Sequence, residues 1–381
     1  MHKSIAFLSI LFYSIDNKLK EVIAIKQNTP QYRMWKKRQN EKNLRRRTKE
    51  KAIKKARATT YIRCRTTNEN YTFLKSSRDN PYSFHAPQCF SFISNTDETI
   101  MFFHDIIRFI SSPINHGKSV FVDMSDVTEI TIDALMYLLA IINNIAKRTK
   151  NNCKFSGNIP KMPSLRKLFH ESGFYDHVRY YGDDRIKKST DLIRIVSGKH
   201  VDPNTAGLIS DFIFEKSNVP VKKYSYIYKI LLEFMSNTFK HAYEENAFIK
   251  ESRWYCFTEY DGIDTITFTF LDTGYGIPST VRKRFLEKFD LLKIKDDAHY
   301  VVSALNGDFR TSTGLPYRGK GLPKIKEICQ REDIIDMRII TNKADVMISK
   351  TGLTKKVLSE SVKGTIYYWK ISLSKLKGDS I

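Results

Sequence analysis

Cysteine is scarce in this chain of 381 residues: five, at positions 64, 89, 153, 256 and 329, with no pair in C-x-x-C spacing. A scattered, odd set argues against a disulfide framework or a cysteine zinc site, and for reduced thiols in a cytoplasmic protein. Long apolar runs are missing too. The segment "SIAFLSILFYS" (4–14) behind "MHK" imitates the start of a signal peptide, but no small-residue cleavage motif follows and it is too short to span a bilayer. Translation beginning at Met34 would account for that join equally well. No internal repeat is evident. Acidic residues are few, 41 Asp and Glu against 64 Lys and Arg, a net charge of +23. Nearly half of that excess sits in residues 33–57, where 13 Lys and Arg face only Glu41 and Glu50, a net of +11. Such a block repels itself and suits an anionic surface, nucleic acid or acidic lipid; a solvated arm that keeps the protein soluble is the plainer alternative.

What is present is material for folded cores: 41% hydrophobic and 12% aromatic residues in a chain long enough for two domains. Residues 1–65 read as a basic arm, and 66–95, with "RDNPYSFHAP", as a linker. From 96 to 182 the rhythm is that of a small α/β domain. A helical period over 99–110 precedes a β-type run at 118–124. An apolar helix over 131–148, a short strand within 152–157 and a helix over 162–174 follow. The polar stretch 180–191 marks a boundary. Beyond it the pattern predicts helices over 203–217, 223–243, 279–294 and 321–331. Strands are expected over 252–260 and 264–272, joined at Asp261-Gly262, and over 336–341 and 364–373.

The helix over 223–243 carries an unexpected stripe. Ile227, Ile230, Leu231, Phe234 and Thr238 share one face, and Glu233, Asn237 and His241 run along its border. Polar groups beside a core are costly without partners, so the stripe either seals a polar seam between helices or looks into a cleft. Two further segments favour the cleft. "FLDTGYGIP" (270–278) ends a strand on Asp272 and adds Gly274, Gly276 and Ile277; a carboxylate fixed there can accept from an exocyclic amine. "STGLPYRGKGLPKIKEIC" (312–329) puts Arg318, Gly319, Lys320, Gly321 and Leu322 at a helix start, with Lys324 beyond, where free N–H groups and positive charge suit phosphate.

Taken in order, these segments resemble the boxes of the GHKL ATPase superfamily, named for gyrase, the heat-shock chaperone, histidine kinases and the mismatch-repair protein. E-x-x-x-N-x-x-x-H-A is matched by Glu233, Asn237, His241 and Ala242, and D-x-G-x-G-I by Asp272, Gly274, Gly276 and Ile277. G-x-G-L is matched by Gly319, Gly321 and Leu322, and a closing Gly-Thr by Gly364 and Thr365. The resemblance implies a Bergerat α/β sandwich with a mixed sheet over 183–381, binding ATP and Mg²⁺. Asn237 would hold the metal, Asp272 would read adenine with help from Thr365, and Glu233 would orient the attacking water or hydroxyl. Residues 291–320 would form a lid. His241 is expected to make a structural hydrogen bond at the helix end.

The preceding domain resembles the STAS fold of anti-sigma-factor antagonists through "VFVDMSDVTEITIDALMYLLAI" and "GNIPKMPSLRKLFHESGF". Where those antagonists carry a phosphorylated serine, this chain reads Thr131-Ile132-Asp133-Ala134, which favours a docking or dimerisation role over a phosphorylation switch. The reading reached is an ATP-hydrolysing regulatory protein whose nucleotide state controls a partner. That partner would be a STAS-like or sigma-type protein, or nucleic acid bound through residues 33–57. The alternative is a serine/threonine kinase of the anti-sigma-factor type acting on a STAS partner. A sensor histidine kinase fits poorly, since no H-E-x-x-x-P-like helix precedes the ATP boxes. With the chain stopping soon after Thr365, no transducer domain of the gyrase or chaperone type is expected, which argues against DNA-topology and chaperone functions.

Overall fold

The computed structural model describes residues 81–115, 118–149, 153–178, 189–240, 253–284, 296–309 and 321–378, plus the backbone pairing of Thr66–Thr67 with Asn70–Tyr71. All of them lie in one compact unit, Thr60–Ile381. The basic block 33–57 is outside the described residues.

The first half is a small α/β layer. Strands β1 (Tyr82–His85), β3 (Val120–Asp123) and β5 (Phe155–Gly157) form a parallel sheet in the order β1-β3-β5, and β2 (Cys89–Phe90) pairs with β4 (Glu129–Ile130). Helices α1 (Thr96–Ser111), α2 (Ile132–Arg148), α3 (Pro163–Glu171) and α4 (Phe174–His177) complete it. Strands β1 and β2 fall inside 66–95, the stretch read as linker. They are too short, and β1 too exposed, to show an alternating pattern in sequence.

The second half is a five-stranded sheet in the order β9-β10-β8-β7-β6, from β6 (Leu192–Gly198), β7 (Trp254–Tyr260), β8 (Thr265–Asp272), β9 (Ile334–Ser349) and β10 (Gly352–Ser372). Every neighbouring pair is antiparallel, so the α/β class holds while the expected mixed pairing does not. The hairpins β7-β8 and β9-β10 impose that direction, and the parallel pairs are those of the small layer. Asp261 Oδ1 closes the β7-β8 turn by accepting from the N–H groups of Ile263, Asp264 and Thr265 at 2.8–3.0 Å. On one face lie α5 (Pro203–Ser217), α6 (Ser225–Lys240), α7 (Ile277–Arg284), α8 (Asp297–Asn306) and α9 (Gly321–Ile328); α10 (Leu373–Lys377) is the last described helix. Asp202 caps α5, accepting from Asn204 N–H at 3.0 Å ahead of Pro203 in the first turn. Helix α8 lies within the expected lid and buries Ala298, Val301 and Leu305.

The strands alternate between two covered faces. Trp254, Cys256, Phe268, Phe270, Tyr367 and Trp369 meet the helices, among them the buried Ile227, Ile230, Leu231 and Phe234 of α6. Tyr255, Phe257, Leu271, Ile340 and Ile366 point the other way and join the core of the small layer. Helix α2 explains why. From Ile132 to Ile142 every residue is buried, and a helix apolar all round must be covered all round. The three-stranded sheet covers one side and the five-stranded sheet the other. Arg338 of β9 fastens the junction, donating to Asp345 at 2.6 and 2.8 Å, to the Ile93 carbonyl at 2.6 Å and to Thr96 Oγ1 at 3.0 Å.

Leu271→Ala cuts this shared core at its centre and should cost about 2–5 kcal/mol. Urea unfolding followed by probes in each half should show one common transition moved to lower denaturant; two separate transitions would overturn the shared core.

Candidate functional site

Helix α6 carries Glu233 and Asn237 one turn apart. Both are half-buried, and neither side chain hydrogen-bonds among the described residues. Phe234 and Thr238, the residues that follow them, are buried, which fixes the rotation of the helix and leaves its polar stripe at the border of the buried face. Thr238 settles its hydroxyl on the Phe234 carbonyl at 2.9 Å. Gly321, at the start of α9, presses its backbone against the Glu233 carboxylate so closely that a built Cβ would collide with Oε1 and Cδ. The first and third boxes therefore meet. Leu322 is half-buried against the helix-side core, and Lys324 is exposed.

Asp272 ends β8 on the helix face, paired with Trp254 on one side and Thr365 on the other. Its Oδ1 accepts the Gly274 N–H at 2.7 Å. Burial pushes its carboxyl up to about 6, against the opposing pull of Gly274 N–H and of the hydroxyl and N–H of Thr365. Gly364 has φ +93, and a side chain there would run into the Asp272 carbonyl, so the glycine of the Gly-Thr pair is a steric requirement of this strand end. Gly276 opens α7 with its carbonyl accepting Thr280 N–H at 3.1 Å, and Ile277 N–H donates to Thr341 Oγ1 at 3.1 Å.

Thr341, Asn342 and Tyr367 were not anticipated. Thr341 Oγ1 donates to the Gly364 carbonyl at 2.9 Å and lies 3.2 Å from Thr365 Oγ1. Asn342, at φ 49, donates Nδ2 to the Tyr275 carbonyl at 3.0 Å and accepts from Ser279 N–H at 3.3 Å and Ser279 Oγ at 3.1 Å. Together they lash the D-x-G-x-G loop to β9. Asn342 sits inside β9 where the register shifts, and Asn is suited to that break because it tolerates the left-handed region better than most side chains. Tyr367 is buried with its ring stacked on Phe234 at 3.8 Å, and burial first, then the carboxylates of Asp272 and Glu233, raise its phenol. That phenol thus ties the two carboxylates into one electrostatic neighbourhood. His241, Arg318, Gly319 and Lys320 lie outside the described residues.

The donor set fits a nucleotide and a hard cation. A buried carboxylate stands at the strand ends, half-buried Glu233 and Asn237 make no side-chain hydrogen bond among the described residues, and backbone without a Cβ faces Glu233 at Gly321.

No known family model matches the sequence, and a search of curated proteins finds none that matches. Among solved structures, the histidine kinase domain from the Erythrobacter litoralis EL346 blue-light activated histidine kinase is similar at 12% identity, over 65% of this chain and 88% of that chain, with a TM-score of 0.22. A superposition this loose carries no argument, so the functional reading rests on the side chains. No described helix is long and apolar enough to cross a membrane.

A charged Asp272 is a burden on the folded protein. Between the ordinary value of 3.8 and about 6, at roughly 1.4 kcal/mol per pH unit, the charge costs about 3 kcal/mol. The raised value means that stability from this group is full below pH 3.8 and is lost as pH rises through 6. Asp272→Asn should therefore be at least as stable as the wild type at pH 7.5. Any advantage should close by pH 4, as read by thermal unfolding without nucleotide; a lower midpoint at pH 7.5 would contradict the assignment.

Proposed function

We propose that this chain binds Mg-ATP between α6, the end of β8 and the start of α9, and hydrolyses it slowly as a regulatory switch. The observation that carries the reading is Asp272. A carboxylate buried at a strand end, held by Gly274 and Thr365 and kept at a cost to stability, is what recognition of an exocyclic amine requires.

The bound nucleotide would supply the transferable phosphoryl group, and Mg²⁺ would supply positive charge to its phosphates. The chain's own residues do the rest. Asp272 accepts from the adenine amine, while Thr365 and Thr341, joined through their hydroxyls, fix its orientation. Asn237 offers a neutral amide oxygen to the metal. The backbone at Gly321 gives its N–H to a phosphate oxygen at the positive end of α9. Glu233, against Gly321 and one turn before Asn237, orients the attacking oxygen and takes its proton. Gly319, Lys320 and Arg318 would add phosphate contacts, and His241 would close the helix end.

Phosphoryl transfer to a separate STAS-type protein remains the second reading. Transfer within the chain is disfavoured: the Thr131 hydroxyl, the candidate acceptor at the start of α2, is buried, and Asp133 beside it is fully buried. The basic block 33–57 would then serve a nucleic-acid or anionic partner, and a dimer is compatible with either reading.

Calorimetric titration with Mg-ATP should give no binding for Asp272→Asn. Wild-type affinity should fall as pH drops through about 6, because protonated Asp272 loses its charge and is a weaker acceptor for the amine. Glu233→Ala should bind as the wild type does and release no phosphate. Unchanged affinity in Asp272→Asn would reject the adenine assignment; label appearing on an added STAS protein instead of as free phosphate would favour the kinase.

A further inference from the structure

The site and the small domain are one residue apart through the sheet. Asp272, Thr365 and Thr341 are in register across β8, β10 and β9 and form one row facing the site. Leu271, Ile366 and Ile340 form the next row, also in register, and their side chains end in the small domain's core. Where the Thr365 row begins, the ladder breaks. Thr341 pairs with Thr365 but Asn342 pairs with Val362, so Lys363 and Gly364 bulge out of the β9-β10 pairing. A buried N–H leaving a ladder needs another acceptor. For Lys363 it is the phenol oxygen of Tyr137, 3.0 Å away on α2.

Tyr137 has little freedom to move. It is buried between Phe92, at 5.0 Å, and Phe103, at 4.7 Å, in edge-to-face contact. One turn earlier on α2, Asp133 Oδ1 accepts the Phe92 N–H at 2.8 Å, and Arg338 holds the next carbonyl, that of Ile93. The bulge so fixed includes Gly364, whose carbonyl takes the Thr341 hydroxyl, and it sets where Thr365 meets Asp272.

We propose that Tyr137 is a positioning residue for the adenine end of the site, so that the small domain sets nucleotide affinity through the Lys363-Gly364 bulge instead of serving only as a docking platform. This rests on the Mg-ATP reading above. Coupling carried by a defined contact is reciprocal: nucleotide tightens the seat of α2 as much as α2 tightens nucleotide.

The test is calorimetry on the full chain at pH 7.5, titrating Mg-ATP and Mg-GTP into wild type, Tyr137→Phe and Asp97→Ala. The last variant removes a surface contact between the halves, Asp97 with Lys356 and Ser359, away from the bulge. Tyr137→Phe keeps the ring and loses only the acceptor. Its ATP affinity should fall about 3- to 10-fold, the worth of one hydrogen bond. Its preference for ATP over GTP should narrow by the same factor, which a plain loss of stability would not cause. Asp97→Ala should match the wild type on both counts. Wild-type affinity in Tyr137→Phe overturns the coupling and leaves the nucleotide site standing, and so does an equal loss in Asp97→Ala. No ATP binding by the wild type overturns both.

Discussion

A carboxylate taken out of water must be met by other donors, and that requirement at Asp272 orders much of the structure around it. The Gly274 N–H reaches it only because the chain turns immediately after β8. Thr365 reaches it only because Gly364, with φ +93, lets β10 come close to the Asp272 carbonyl. Thr341 and Asn342 then hold the turn from the neighbouring strand, through Ile277 N–H, the Tyr275 carbonyl and Ser279. The first two contacts offset the cost of a charge in a place where charge is expensive, and the others hold the loop that carries Gly274. Such an arrangement is costly to maintain and makes sense where the acceptor is used.

The same sheet is closed on both faces. Helices cover one side, and α2 of the small domain covers the other with Leu271, Ile340 and Ile366 between them. Full burial of a Leu or Ile contributes roughly 1.5–3 kcal/mol, so this apolar seam, more than the surface pair Lys356–Asp97, holds the halves together. Arg338 differs from that surface pair. It is largely enclosed, bidentate on Asp345, and spends its other donors on the small domain's backbone and Thr96. It therefore contributes geometry, fixing the angle at which the loop of Phe92 and Ile93 enters the junction, more than net stability.

Much of this could be read from the residues in order. The aromatic-rich run over 254–260, the alternation of Thr with Ile and Phe over 265–270, the Asp261-Gly262 turn and the Asp-Pro start of α5 each encode their local structure by chemistry that acts within a few residues. The buried face of α6 followed from its 3.6-residue period, and the meeting of Glu233 with Gly321 from the order of the boxes. Other features depend on partners far along the chain. Strand β6 carries Arg194 and Ser197 among its apolar residues and gains strand character from pairing with β7. Strands β9 and β10 run well past their apolar cores because they pair with each other, so Lys355 and Lys356 sit in a strand despite their charge. Thr341, Asn342 and the role of Tyr137 were hidden for the same reason: a hydroxyl or amide says what it can bond to, not which backbone group will arrive.

The covered second face also bears on what kind of machine this is. A sheet with helices on one side only would leave Leu271, Ile340 and Ile366 to water or to a transient partner. Here the partner is built into the chain, and its α2 is apolar on every side, so neither half can leave the other without exposing a core surface. Large separation of the halves is therefore excluded as a signalling motion at ordinary stabilities, since it would expose several side chains each worth kilocalories. Small displacements remain, and the bulge at Lys363-Gly364 is where a shift of α2 would be felt with least resistance, because the ladder is already open there. Under the coupling proposed above, the link between the small domain and Asp272 is short, one strand thick, with the Tyr137 phenol oxygen at its open point.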